Sequence, residues 1–346
     1  MTREEVLKLL NSNNSETESL FNSAYETKLK YVGNKVYFRG IIELSNICQK
    51  DCYYCGIRKS NLKAARYIMS EEEIIDSAMW AYDSKYGSIV LQAGEREDRH
   101  FVDFIEKIIK EIHRLSSGKL GITLSLGEQK FDIYERWFRA GAHRYLIRIE
   151  TSSKSIYEKL HPADHSFERR LQCLQILKDI GYQVGTGVMI GLPYQTINDL
   201  VDDLFFFQEN NIDMIGMGPY LVSSDTPLQS YYNNYSDKKN EIYLLGLKMI
   251  AAARILLKDV NIASTTALQA LKPFGREMGL KAGANIIMPN LTPIKYREDY
   301  QLYDEKPCLD EDRELCKDCL DNRILGIDEE IGYGEWGDSP HFLQKK

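Results

Sequence analysis

The sequence predicts an α/β fold: an eight-stranded (β/α)8 barrel of the TIM type, with an N-terminal helical cap and a C-terminal tail that carries cysteines. Three observations predict it. Eight short apolar runs alternate with longer amphipathic stretches, as in a barrel whose strands are each followed by a helix. Several runs are apolar throughout, such as Tyr145-Leu146-Ile147 and Ile286-Ile287-Met288, which suits parallel strands covered on both faces. The rhythm stops near residue 290, where the chain turns charged and carries three of its seven cysteines. An open doubly wound sheet uses the same alternation, but the eight-fold count favours the barrel.

In chain order, residues 2–11 and 15–31 have helical spacing and make up the predicted cap, residues 1–35. Strands are expected at 40–47, 88–93, 120–126, 144–150, 184–190, 213–219, 259–264 and 283–288. Helices are expected near 71–84, 101–116, 129–140, 154–160, 167–181, 197–210, 237–257 and 268–280. The barrel would span 36–290, with 291–346 as an extension wrapped over it rather than a separate domain.

Composition narrows the function. A chain of 346 residues, 43% hydrophobic, admits two domains, but α/β barrels reach this length as one unit. No run of 18 apolar residues occurs, and Met1–Leu10 reads as an amphipathic helix without the features of a signal peptide. The expectation is a soluble, cytoplasmic protein with no membrane partner. A net charge of −7, with both signs mixed along the chain, argues against nucleic acid, which needs a concentrated basic surface. Six of the seven cysteines fall into two tight groups, a pattern that favours metal over disulfides when no secretory signal is present.

The chemistry collects at strand ends, as it does on the C-terminal face of a barrel. The first strand runs into Cys48-Gln49-Lys50-Asp51-Cys52-Tyr53-Tyr54-Cys55, a C-x3-C-x2-C triplet. Three thiolates can hold three irons of a 4Fe–4S cluster and leave the fourth open to a small molecule. Zinc is the alternative, although it takes four ligands or three plus water, and the nearest downstream histidine is His100. The second strand ends in Gln92-Ala93-Gly94-Glu95, where Gly94 allows close backbone approach and Glu95 can accept from an ammonium. An ordinary turn would look the same. The third ends in Thr123-Leu124-Ser125-Leu126-Gly127-Glu128 and the fourth in Arg148-Ile149-Glu150-Thr151. Arg148 and Glu150 point the same way on a strand, and inside a barrel such charges must be paired or liganded. Arg169 and Arg170 enter a helix, where either can clamp a carboxylate. The fifth strand leads through small residues to Met189, which can line a ligand or simply pack in the core. The sixth supplies Gly216-Met217-Gly218, the seventh Ser264-Thr265-Thr266 and the eighth Met288-Pro289-Asn290. Hydroxyls and amides there suit a polar or anionic substrate, which Arg276 could neutralise. Cys173, inside a helical pattern, reads as core.

The triplet, down to the aromatic Tyr54, resembles the signature of radical S-adenosylmethionine (SAM) enzymes. Ala93-Gly94-Glu95 resembles their GGE motif, with Ala93 in place of the first glycine. The likeness narrows further over residues 41–56, 124–128, 166–171, 189–196, 262–267 and 282–290, which resemble the FeFe-hydrogenase H-cluster maturase family HydE, a biotin-synthase-like group. It extends from about residue 30 to about residue 320. The resemblance implies a complete (β/α)8 barrel, a 4Fe–4S cluster on Cys48, Cys52 and Cys55, and SAM on its open iron. It further implies that a 5′-deoxyadenosyl radical adds to the cysteine sulfur of an iron complex bearing cyanide and two carbonyls. By motif, Glu150 and Arg170 would bind SAM, with Gly94 and Glu95 near its amino group and Tyr54, Ser125 and Met189 completing that site. Thr265, Thr266, Arg276 and Tyr303 would line the deeper, catalytic cavity. Cys308-x7-Cys316-x2-Cys319 resembles an accessory iron–sulfur site of some members, 2Fe–2S or 4Fe–4S, with a zinc clip as the alternative. Other hydrogenase maturation proteins and an electron donor would be partners.

Two departures stand out. Ile149 occupies a position where many members have histidine, and Arg96-Glu97-Asp98-Arg99 replaces an aspartate–proline. They leave room for a paralogue acting on another sulfur- or amino-acid-based substrate, such as a methylornithine-synthase- or biotin-synthase-like enzyme. A non-enzymatic iron–sulfur carrier is the rival of a different class, and SAM cleavage separates it from both enzymes.

Overall fold

The computed structural model describes residues 1–231 and 235–345. Its centre is eight parallel strands. These are β1 (Lys35–Ser45), β2 (Ser88–Ala93), β3 (Gly121–Ser125), β4 (Arg144–Leu146), β5 (Gln183–Thr186), β6 (Met214–Ile215), β7 (Asn261–Ile262) and β8 (Ile286–Ile287). Neighbours pair in the order β8-β1-β2-β3-β4-β5-β6-β7. A parallel bridge between Ala263 and Ile286 brings the last strand back to the first. There Asn285 N donates to Ile262 O and Ser264 N to Ile286 O, both at 2.9 Å. The ring is closed, as the sequence led us to expect of a (β/α)8 barrel. Helices cover its outside, so strands such as β2 are buried along nearly their whole length.

Each expected strand coincides with an observed one, but those at 144–150, 184–190 and 213–219 end early. Past Leu146 the backbone turns to a positive φ of 66° at Glu150. Ladder contacts resume above the breaks, where Met189–Ile190 pairs with Gly218–Pro219 and Glu150 bridges Val188. Gly187 and Gly216 touch at this level, since a Cβ on Gly187 would lie 2.0 Å from Gly216 O. The helix expected over 268–280 is two helices, Thr266–Leu271 and Gly275–Lys281. Pro273 lies between them; it has no amide hydrogen and its ring clashes with the preceding turn of a continuous helix.

The two N-terminal helices, Arg3–Leu10 and Asn14–Tyr31, each start with a capping box, Thr2 with Glu5 and Asn13 with Glu16. The second packs along the helix Tyr235–Leu257. The chain after residue 290 visits both ends of the barrel. Leu302, Tyr303 and Lys306 to Cys308 border the cavity at the C-terminal face. Residues 336–339 close the opposite end: Arg144 donates to Asp338 at 2.6 Å and Arg39 to Gly337 O at 3.1 Å. No helix among the described residues is long and apolar enough to cross a membrane.

Candidate active site

The loop after β1 carries the first cysteine triplet. Cys48, Cys52 and Cys55 are free thiols, each partly buried. Backbone amides point at the first of them: Cys48 Sγ accepts from Glu95 N at 3.3 Å and Lys50 N at 3.4 Å. Burial pushes the Cys52 thiol up to about 12, with Cys48 adding to the shift, and pushes Cys55 well above its usual range, with Cys52 and Cys48 adding to it. The three sulfurs therefore share one poorly solvated site, where their thiolate forms call for a cationic partner. Thiols without a disulfide, amides aimed at sulfur and a dry setting fit a 4Fe–4S cluster. Among the described residues, no three His, Cys, Asp or Glu side chains converge closely enough to hold a single metal ion. Gly94 makes the site possible, because a Cβ there would lie 2.4 Å from Ile47 O and 2.7 Å from Cys48 Cβ.

Beside the triplet lies a chain of charges. Lys50, between two of the cysteines, reaches Glu95 at 3.3 Å and Glu128 at 3.1 Å. Arg170 Nε donates to the other oxygen of Glu128 at 2.7 Å, and its guanidinium also donates to Arg148 O. Glu95 Oε2 accepts from Glu128 N at 2.9 Å. A Cβ on Gly127, whose φ is +77°, would fall 2.3 Å from that oxygen. Burial and the nearby Glu128 charge raise the Glu95 carboxyl. Burial acts on Glu128 in the same direction, but Arg170 and Lys50 overcome it and hold Glu128 below the usual range. Arg148 Nε donates to Glu150 Oε2 at 3.1 Å, so the internal ion pair weighed from the sequence is present. Glu150 keeps its φ of +66°, an unfavourable backbone for glutamate of the kind that clusters at functional sites.

This network borders a cavity of about 230 Å³ inside the mouth of the barrel. Its wall contains Tyr54, Cys55, Glu150, Met189, Thr265, Thr266, Arg276, Tyr303 and Cys308 from the residues singled out in the sequence. Gly94, Glu95, Ser125 and Arg170 stand outside that wall; Ser125 ends β3 in register with Gln92, and Arg170 connects inward through Arg148. Tyr54 OH lies 3.4 Å from His161 Nε2, and Met189 N donates to Glu150 O at 2.9 Å. Arg276 donates to Thr266 Oγ1 at 3.3 Å. Two buried polar atoms here, Arg276 Nε and Thr265 Oγ1, have no hydrogen-bond partner. Native interiors seldom leave such atoms unpaired, so they point to a polar ligand. Burial pushes the Tyr303 phenol above its usual range and keeps it protonated.

Three residues of the site were not singled out. Glu43 is 3% exposed and faces the cavity, where Lys306 meets its two oxygens at 2.6 and 2.8 Å. An acid within the apolar run Ile41-Ile42-Glu43-Leu44 was a readable signal. Lys306 was not readable, because only the fold brings it across the chain. Lys50 lies inside the triplet, but its reach to Glu95 and Glu128 depends on the fold and cannot be read from spacing. Ile149 is wholly buried in the hydrophobic core.

The second triplet is shared between the cavity wall and a helix of the tail. Cys308 lines the cavity with a φ of +62°. Cys316 is buried and pushed up to about 11 by burial and by Cys308. Cys319 is exposed one turn along the same helix, Arg313–Leu325, next to Arg323. Cys173 is buried in the core.

Comparison with known proteins agrees with this geometry. The family model "Radical SAM superfamily" matches residues 42–207. The chain is 46% identical to the [FeFe] hydrogenase maturase subunit HydE of Thermotoga maritima, over 97% of this chain and 93% of that protein. Among solved structures, a methylornithine synthase (PylB) superposes with a TM-score of 0.82 at 22% identity, covering 96% of this chain and 94% of that one. The FeFe-hydrogenase maturase HydG of Carboxydothermus hydrogenoformans superposes at 0.80 and 19% identity, covering 99% and 79%. The two superpositions establish the fold, a radical SAM-type barrel. That family carries a 4Fe–4S cluster and uses SAM, for which the Cys48, Cys52 and Cys55 site fits. The chain therefore belongs to the HydE family of FeFe-hydrogenase maturases within the radical SAM superfamily, and it is a radical SAM enzyme.

Proposed function

We propose that this enzyme acts in assembly of the FeFe-hydrogenase H-cluster, directing a 5′-deoxyadenosyl radical to the cysteine sulfur of an iron complex that bears cyanide and two carbonyls. The observation that carries this reading is a largely apolar cavity that begins at Cys55 and Tyr54 and holds two unpaired buried polar atoms, Arg276 Nε and Thr265 Oγ1. The name of the Thermotoga maritima relative supports it. When bound, the cluster and SAM supply the radical by one-electron cleavage.

The protein's part is binding, orientation and exclusion of water. Cys48, Cys52 and Cys55 hold the cluster. Glu95 would accept from the SAM amino group, and Gly94 lets β2 approach the loop. Glu150, paired to Arg148 in this state, takes the ribose or amino group, and Arg170 holds the SAM carboxylate. Tyr54, Ser125 and Met189 complete the SAM site. Deeper in, Arg276 meets the negative charge of the substrate, Thr265 and Thr266 accept or donate hydrogen bonds, and the protonated Tyr303 donates one. Lys306 and Glu43 cross-link the tail to β1 and keep bulk water from the cavity. Cys308, Cys316 and Cys319 hold an accessory 2Fe–2S or 4Fe–4S cluster without a part in SAM cleavage. We place the reaction in the cytoplasm, with an electron donor and other maturation proteins as partners.

The test is anaerobic. The cluster-loaded, reduced enzyme is given SAM and a cysteine-bearing Fe–CO–CN complex, and the products are identified by mass spectrometry. An adenosylated product on sulfur is expected. Cleavage of SAM with the complex untouched would remove the substrate assignment and leave the enzyme class standing.

A further inference from the structure

Cleaving SAM consumes one electron, and that electron must enter from outside the chain. The stretch that follows the last ligand of the first triplet has the chemistry to receive it. Residues 56–66, Gly-Ile-Arg-Lys-Ser-Asn-Leu-Lys-Ala-Ala-Arg, carry four cations and no acid in a chain whose net charge is −7. They fold back onto the cluster loop. Lys59 N donates to Lys50 O at 2.8 Å, and Ser60 donates to Asp51 through its amide at 3.0 Å and its hydroxyl at 2.7 Å. Lys50 and Asp51 lie between the ligands Cys48 and Cys52. Arg66 fixes the shape of the strap by donating to the carbonyls of Asn46, Ile57, Arg58 and Asn61.

What this strap presents to solvent is unusual. Leu62, at its tip, is 94% exposed, more than any other large hydrophobic residue among those described. On either side stand the exposed Lys59 and Lys63, the latter 79% exposed. Asp51 pairs with Arg58 at 3.0 Å and Asp225 with Lys63 at 2.5 Å, so four cations face two carboxylates and the surface keeps a positive excess. An apolar tip flanked by two exposed lysines, on a strap hydrogen-bonded to the cysteine loop, has the make-up of a docking surface.

We propose that residues 58–66 dock an acidic one-electron carrier protein, with Leu62 as the apolar contact and Lys59 and Lys63 as the cations that steer it. One electron leaves the carrier and enters the cluster held by Cys48, Cys52 and Cys55; no bond forms or breaks at the docking surface. This rests on the cluster assignment. Charge complementarity selects an acidic partner, because a basic carrier would be repelled here, and steering of this kind acts on the association rate and fades with salt.

The experiment follows cluster reduction by stopped-flow absorbance in the full-length, cluster-loaded protein, with two reductants: dithionite, and the hydroquinone of a flavodoxin as the acidic carrier probe. The variants are Lys59→Glu with Lys63→Glu, Leu62→Asp, and Lys30→Glu as a charge change on the exposed face of the N-terminal helices. Reduction by flavodoxin should slow about tenfold or more in the first two variants, speed up at low salt in the wild type, and be unaffected by Lys30→Glu. Reduction by dithionite should stay at the wild-type rate in all three. Equal flavodoxin rates in every variant would overturn the docking proposal, as would equal slowing with both reductants, which would mean that the cluster loop itself was disturbed. Wild-type protein that takes up no iron and sulfide on reconstitution would instead remove the cluster assignment.

Discussion

Lys50 sits between two cysteines of the first triplet and touches Glu95 and Glu128 at once. It ties the cysteine loop to two buried carboxylates, of which Glu95 is the one we propose for SAM. Replacing it by methionine leaves two adjacent buried carboxylates with only Arg170 to balance them, and an uncompensated buried charge is costly. Lys50→Met should raise the SAM concentration needed to perturb the cluster's EPR signal by about tenfold, or ~1.4 kcal/mol, with Lys50→Arg recovering much of it. An unchanged SAM titration would mean that Lys50 has no part in holding SAM. At this scale the sequence was most legible where chemistry is local. Cys48, Cys52 and Cys55 declare themselves by spacing alone, whereas the partner of Glu43 is Lys306, 263 positions away. No pattern along the chain encodes that meeting, which depends on the tail crossing the barrel mouth.

The end of β2 is the element on which the site turns. Gly94 is pressed against the backbone of the cysteine loop, so the strand and the loop can approach only if no side chain intervenes. Gly94→Ala should push them apart, destabilising the protein by about 1–3 kcal/mol and lowering the iron bound on reconstitution. Thermal unfolding combined with iron analysis measures both; wild-type values for each would show that the contact is slack. The elements themselves were readable because their signals are short-range. Capping boxes mark Thr2 and Asn13, and eight apolar runs mark the strands. Pro273 also announced the break in the helix expected over 268–280, but the apolar spacing on either side masked it. The early end of β4 was not readable, since a positive φ at a glutamate arises from its surroundings and not from its propensity.

Across the whole molecule, the strands close into a ring and the tail seals its N-terminal end, where two buried arginines, Arg39 and Arg144, face Asp338. This architecture carries a pH signature. Burial, reinforced by Arg144, holds His143 down at about 4, and burial, with Arg170 adding to it, holds His161 at about 3. Below the ordinary histidine value of about 6.5 the unfolded chain binds protons that the folded one refuses, so stability falls as pH falls, by up to about 1.4 kcal/mol per unit for each histidine. Asp203, raised to about 7 by burial, works the other way, since its folded form favours the proton as pH drops. Two histidines outweigh one carboxyl, so the melting temperature should fall between pH 6.5 and pH 5, and His143→Gln should flatten that slope. A slope of opposite sign would mean that Asp203 dominates. The closed barrel was legible in the eight-fold alternation, but the sealing of its base was not, because Asp338 lies in a stretch without periodicity. The measurement that bears most directly on the whole is release of 5′-deoxyadenosine from SAM by the anaerobically reduced, iron-loaded protein, comparing wild type with Cys52→Ala and Cys316→Ala. Release from the wild type and from Cys316→Ala, with none from Cys52→Ala, is the expected result. Release that survives Cys52→Ala, or that disappears with Cys316→Ala, would contradict the assignment of the first triplet as the site of radical formation.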